Sequence, residues 1–176
     1  AGKRVLVVDH ARAPGEKIRI SGGGRCNFTN LHADPSAYLS ANPHFCKSAL
    51  ARYTQWDFID LVGRHGIAWH EKTLGQLFCD DSARQIVDML RAEMAPAELW
   101  LSTALRDLSH GPDGFAATLD RDGRHVAVTA RNLVVATGGK SIPKMGATGL
   151  AYDIARQFGL AVTDTRPGLV PFTFPD

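Results

Sequence analysis

Apolar residues recur along this chain with three spacings. Unbroken runs are the first: Val5-Leu6-Val7-Val8, closed by Asp9, and Leu133-Val134-Val135-Ala136, closed by Thr137-Gly138-Gly139. Four aliphatic residues in succession predict a strand buried on both faces, as in a parallel sheet covered by helices. After the first run stands Asp9-His10-Ala11-Arg12-Ala13-Pro14, not the glycine-rich turn and helix that follow the first strand of such a sheet. Residues 5–8 are therefore expected to form its second strand. Helical spacing is clearest in Ile86, Val87, Met89, Leu90 and Met94, with Asp81 or Ser82 as N-cap and Pro96 beyond the end. Further helices are predicted over residues 43–55, 57–65 and 149–158, the last stopped by Gly159. Alternation marks Leu99, Leu101 and Leu105, and it marks residues 115–119 and 126–129 around Arg121-Asp122-Gly123, a hairpin signal. Residues 67–70, 76–79, 160–162 and 169–172 are predicted to be extended.

Composition narrows the class. A 176-residue chain with 44% hydrophobic and 22% charged residues is ordinary globular material. Its 20 Lys+Arg against 18 Asp+Glu leave a net charge of +2, which predicts no nucleic-acid partner. No apolar run approaches the roughly 20 residues that cross a bilayer, and no secretory signal opens the sequence, so no membrane partner is expected. Cys26, Cys46 and Cys79 form no CxxC pair, which predicts neither a disulfide framework nor a closed zinc site and favours a reducing cytoplasm. The seven histidines show no metal-ligand spacing, so no metal is expected.

Two segments carry candidate chemistry. Asp9 ends a strand of the kind in which an acid accepts hydrogen bonds from the ribose hydroxyls of a dinucleotide, although an ordinary turn aspartate would look the same. In Ser21-Gly22-Gly23-Gly24-Arg25-Cys26-Asn27, three glycines let backbone N–H groups converge on an anion, and Arg25 adds forked donors. A pyrophosphate is the chemical match; a flexible loop is the alternative. The segment lacks the Gly-Lys-Ser/Thr of a Walker loop. Arg25 would favour a thiolate at Cys26, but no other cysteine lies near it in sequence. Trp69, His70 and Glu71 are candidates to line a pocket, and Lys140 and Lys144 are charges on a loop around Pro143.

Three stretches together resemble one family: Asp9 after Val5-Leu6-Val7-Val8; Lys17-Ile18-Arg19-Ile20-Ser21-Gly22-Gly23-Gly24-Arg25-Cys26-Asn27; and Ala136-Thr137-Gly138-Gly139-Lys140-Ser141-Ile142-Pro143. They are similar to the BaiN/YhiN-type flavoproteins, NAD(P)/FAD-dependent oxidoreductases of the aminoacetone oxidase-like kind. The resemblance extends through Gly66-Ile67 to Gly168-Leu169-Val170-Pro171. It implies an α/β fold: a partial glutathione-reductase-like (Rossmann-type) FAD-binding domain with a parallel sheet and a β-hairpin or meander insertion. It also implies that residues 1–165 are an incomplete FAD-binding domain, lacking the first strand and GxGxxG turn, and that residues 166–176 begin an inserted domain.

By position, the resemblance implies that Asp9 binds the adenosine ribose. Lys17, Ser21, Gly22, Gly23, Gly24, Arg25, Cys26 and Asn27 would contact the pyrophosphate, the ribityl chain or the flavin edge, and Thr137, Gly138 and Gly139 would lie along the FAD. Two positions depart from the family pattern. Glu16 stands where a basic residue is usual, and Gly149-Leu150-Ala151-Tyr152 replaces Gly-Asp-Gly-Tyr. The implied activity is FAD-dependent oxidation or reduction of a small-molecule substrate, with NAD(P)H as electron donor and no assigned acid or base. Alone, the chain is expected to bind FAD weakly or not at all. Two rivals stay open: a non-catalytic remnant or interaction module that self-associates through an exposed sheet edge, and a nucleotide or phosphate-ligand binder without flavin.

Overall fold

The computed structural model describes residues 2–141 and 148–166. Pro143, Lys144, the extended segment expected at 169–172 and nearly all of the expected inserted-domain start lie outside them. The chain divides into two compact units, Ala1–Ala130 and Arg131–Asp176, a boundary that no composition shift announces.

The first unit holds three small sheets. Strand β1 (Leu6–Val8) pairs in parallel with β5 (Glu98–Trp100). Between them run helix α1 (Glu16–Ile20), a 3-10 turn at Ser21–Gly24, β2 (Asn27–Asn30), α2 (Lys47–Arg52), α3 (Gln55–Arg64), β3 (Trp69–Glu71), β4 (Gln76–Cys79) and α4 (Ala83–Glu93). Strands β2, β4 and β3 form an antiparallel sheet with β4 at its centre. A meander of β6 (Thr103–Gly111), β7 (Gly114–Arg121) and β8 (Arg124–Ala130) closes the unit. Asp122 and Gly123 both have positive φ, at 52° and 77°, the backbone that a two-residue hairpin turn of this twist requires. The predicted hairpin is there, with β6 added in front of it.

The core lies between β4, α3 and α4: Leu61, Val62, Ile67, Cys79, Ala83, Ile86 and Met89 are buried with Cys26. Helix α4 begins where the apolar period begins because the Ser82 hydroxyl accepts a hydrogen bond from Arg84 N–H while Gln85 Oε1 accepts one from Ser82 N–H. Its buried Ile86, Val87 and Met89 contribute about 1.5–3 kcal/mol each as an upper estimate. Helix α3 starts at Gln55, two residues before the predicted 57, because Thr54 and Asp57 form a reciprocal capping box. That box also ends the preceding helix early. Tyr53 is extended at φ −145°, so α2 covers only Lys47–Arg52 of the predicted 43–55.

Both aliphatic runs depart from expectation. Among the described residues β1 is paired on one edge only, and Val5 and Val8 are 51% and 37% exposed, so the strand is not buried on both faces. In the second unit, residues 133–136 form no strand. Leu133, Val134 and Val135 are exposed, since no strand among the described residues hydrogen-bonds to them. An aliphatic run becomes a parallel strand only with a neighbour on its edge. The second unit does hold the predicted helix, α5 (Leu150–Gln157), which ends before Gly159 at φ +73°. Among the described residues no helix is long and apolar enough to cross a membrane.

Candidate functional site

The glycine run folds into a left-handed arch at the end of α1. Gly22, Gly23 and Gly24 have φ of 57°, 66° and 86°, and the arch closes with Cys26 N–H donating to Ser21 O at 3.0 Å. The three glycines do different things. A Cβ on Gly22 would stand 2.6 Å from Phe78 Cε1 and 2.8 Å from the Asn27 backbone nitrogen, so this position is demanded by packing. Gly23 would meet nothing within 4 Å and Gly24 only Arg19 O at 3.9 Å, so their outer side is open. Arg25 is exposed, and its guanidinium makes no hydrogen bond or ion pair among the described residues. An open left-handed run of small residues beside an unpaired cation suits an anion.

The neighbouring candidates divide the same way. Ser21 spends its hydroxyl on Ile18 O at 2.8 Å. Cys26 is buried against the core at φ 55°, and burial pushes its thiol above the ordinary range, with a weaker opposing hydrogen bond from Ser21. The thiolate that Arg25 was expected to favour is therefore not the form this site holds, because desolvation penalises the charged state. Asn27 opens β2 with its side chain exposed, and Lys17 lies in α1.

Phe78 backs the arch. His70 stacks on its ring with centroids 6.2 Å apart, and the Lys72 ammonium lies 5.2 Å over it. His70 Nδ1 and Asp80 Oδ1 are 2.6 Å apart across the β3–β4 turn, a pair that sequence reading missed because it is made by strand register. Of the Trp69-His70-Glu71 trio, Trp69 instead packs edge-on to Phe28.

Asp9 stands at the carboxyl end of β1 as expected. Its N–H donates to Trp100 O at 2.9 Å, and its Oδ1 accepts from Ala11 N–H at 3.0 Å, leaving the second oxygen without a protein donor among the described residues. Both the ribose-binding and the turn-forming roles are thus compatible with one side chain. Thr137, Gly138 and Gly139 belong to the second unit, where Gly138 has φ +72° and a Cβ on Gly139 would stand 2.6 Å from the Tyr152 hydroxyl. Tyr152 comes from the first turn of α5, so the glycine doublet is packed against that helix start.

The HI0933-like protein Rossmann domain matches residues 1–173. The chain belongs to the HI0933-like Rossmann-domain family. Its fold is accordingly Rossmann-type α/β, a parallel pair accompanied by antiparallel sheets. Within the reach of this family the chain is similar to the ribosomal RNA dihydrouridine synthase of Escherichia coli (strain K12), 61% identical over 173 residues that make up 98% of this chain and 43% of the relative. It is 49% identical over 175 residues to the protein of the same name from Haemophilus influenzae (strain ATCC 51907 / DSM 11121 / KW20 / Rd), across 98% of this chain and 44% of that one. A 3-dehydro-bile acid delta(4,6)-reductase of Clostridium scindens (strain ATCC 35704 / DSM 5676 / VPI 13733 / 19) is 26% identical over 170 residues, 95% of this chain and 40% of the relative. The chain thus spans less than half the length of these curated relatives. Their names are those of a ribosomal RNA dihydrouridine synthase and a reductase.

Proposed function

We propose that this chain carries the FAD-holding part of an oxidoreductase that reduces uridine in ribosomal RNA to dihydrouridine. The observation that supports FAD is the arch: the outer side of Gly23 and Gly24 is open beside Arg25, whose guanidinium has no partner among the described residues. The substrate is drawn from the relatives at 61% and 49% identity. It stands in place of the small-molecule substrate that the resemblance implies, and against the expectation of no nucleic-acid partner drawn from the near-neutral charge; an unstacked RNA base can be read through its own edges and faces.

In this reading, the outer amides of Gly23 and Gly24 and the Arg25 guanidinium bind the diphosphate, and the unoccupied Asp9 oxygen accepts from a ribose hydroxyl. Gly22 and Cys26 keep the arch in shape by packing on Phe78 and the core. When bound, FAD supplies hydride chemistry. Uridine gains two electrons and two protons across its C5=C6 bond, and NAD(P)H is the reductant that balances it. Three free, buried cysteines suit a reducing cytoplasm. The exposed Leu133-Val134-Val135 run favours strand pairing, so the 176-residue chain by itself is expected to self-associate.

The test is to incubate the FAD-loaded full-length protein with NADPH and ribosomal RNA, then digest the RNA to nucleosides for mass spectrometry. Uridine heavier by two hydrogens is the expected product. A protein that purifies without flavin and takes none up refutes the reading.

A further inference from the structure

A second concave site lies on the segment between β2 and α2. A cleft of about 450 Å³ is lined by Asp34, Ser36, Tyr38, Leu39, Ser40 and Lys47, among others. Its side chains are of two kinds. Tyr38 is 43% exposed and Leu39 is 93% exposed, so a ring and a fully projecting aliphatic group stand at the surface together. Lys47 and Arg52, at the two ends of α2, are exposed and form no ion pair within 4 Å among the described residues. The acid of the cleft caps a turn: Asp34 Oδ1 accepts from Ser36 N–H at 2.9 Å at the start of the 3-10 turn Pro35–Ala37, and the carboxylate also feels the charge of Lys47.

The segment is tied to the candidate flavin site through β2. Gln55 Nε2 donates to Leu31 O at 3.1 Å, just beyond the end of β2, and Cys46 Sγ approaches Pro35 O at 4.0 Å within the loop. The four residues of β2 cover about 13 Å.

Resting on the dihydrouridine reading, we infer that this cleft is a nucleotide subsite of the RNA substrate: a base next to the target stacks on Tyr38, Leu39 wedges into the gap left by the extruded uridine, and Lys47 holds a phosphate. A uridine inside a folded RNA must leave its stack to reach a redox centre, and enzymes that extrude a base stabilise what remains with stacking platforms and apolar wedges. A ring, an aliphatic group and a lysine ammonium in one shallow cleft are the makings of a single-strand site. A surface covered by protein would be depleted in lysine.

The test measures the affinity of the FAD-loaded full-length protein for a uridine-containing single-stranded oligoribonucleotide by fluorescence anisotropy, alongside dihydrouridine formation. Tyr38→Ala is expected to weaken binding about tenfold, and Lys47→Gln to lower the slope of log affinity against log salt by about 0.7. Both changes should leave flavin affinity unchanged, because these exposed residues are not part of the arch. If wild type makes dihydrouridine while both variants bind RNA as wild type does, the subsite is refuted and the function stands. If wild type neither binds nor modifies RNA, the function falls and the subsite with it. Protection of Tyr38 and Leu39 from hydroxyl radicals in the RNA-free full-length protein would also overturn the subsite, by showing that the polypeptide itself covers the cleft.

Discussion

Gly22 lies against the ring of Phe78 so closely that a Cβ on Gly22 would stand 2.6 Å from Phe78 Cε1. The second obstacle, the Asn27 backbone nitrogen at 2.8 Å, cannot rotate away. Gly22→Ala therefore combines left-handed backbone strain with overlap, and should cost about 3 kcal/mol of stability in urea unfolding. Gly23→Ala meets only open space and carries the strain alone, about 1 kcal/mol. If the two variants lose the same stability, the packing role of Gly22 is wrong.

The Arg25 guanidinium has no protein partner among the described residues. Arg25→Gln should leave the unfolding midpoint within about 0.5 kcal/mol of wild type while weakening FAD binding about tenfold or more in a fluorescence-quenching titration of the full-length protein. Equal FAD affinity in wild type and variant would remove Arg25 from the diphosphate site.

Cys79 offers a pH signature. Its thiol is pushed from 9.0 to about 11, chiefly by burial and next by the neighbouring Cys26. The folded state thus holds a proton that the unfolded state releases first. Stability is whole below pH 9 and declines as pH rises from there toward 11. In Cys79→Ala that alkaline decline should be shallower in chemical unfolding followed between these limits. The native protein should also react slowly with a thiol reagent, since Cys26, Cys46 and Cys79 are all buried.

Ser82 caps the helix that places Ala83, Ile86 and Met89 in the core. Ser82→Ala should destabilise by about 1 kcal/mol and Ser82→Asp should restore most of it, as read by thermal unfolding. An equal loss in both variants would mean that the serine acts through something other than its cap.

What could be foreseen follows from what each feature depends on. Helices α3, α4 and α5 and the Asp122–Gly123 turn were readable because period, caps and turn residues act over a few neighbours. The short helix Glu16–Ile20 escaped notice because its only core contact, Ile18, gives no period. The boundary of α2 shifted because two capping signals competed at Thr54. His70 and Asp80 are separated by ten residues with no motif between them, and only the register of β3 on β4 brings them to 2.6 Å.

The Rossmann-type architecture was implied by the family resemblance; from its order of residues alone the chain determined helices α3, α4 and α5, the Asp122–Gly123 turn and the glycine run with a cation beside it. Local chemistry suffices for these, because caps, turns and glycine's access to positive φ are properties of a few adjacent residues. Tertiary structure decided which glycine serves packing and which face outward, that Cys26 is a buried thiol, and that Leu133-Val134-Val135 stays unpaired. Those outcomes depend on which atoms from distant segments arrive at the same place, and no spacing along a single chain records that.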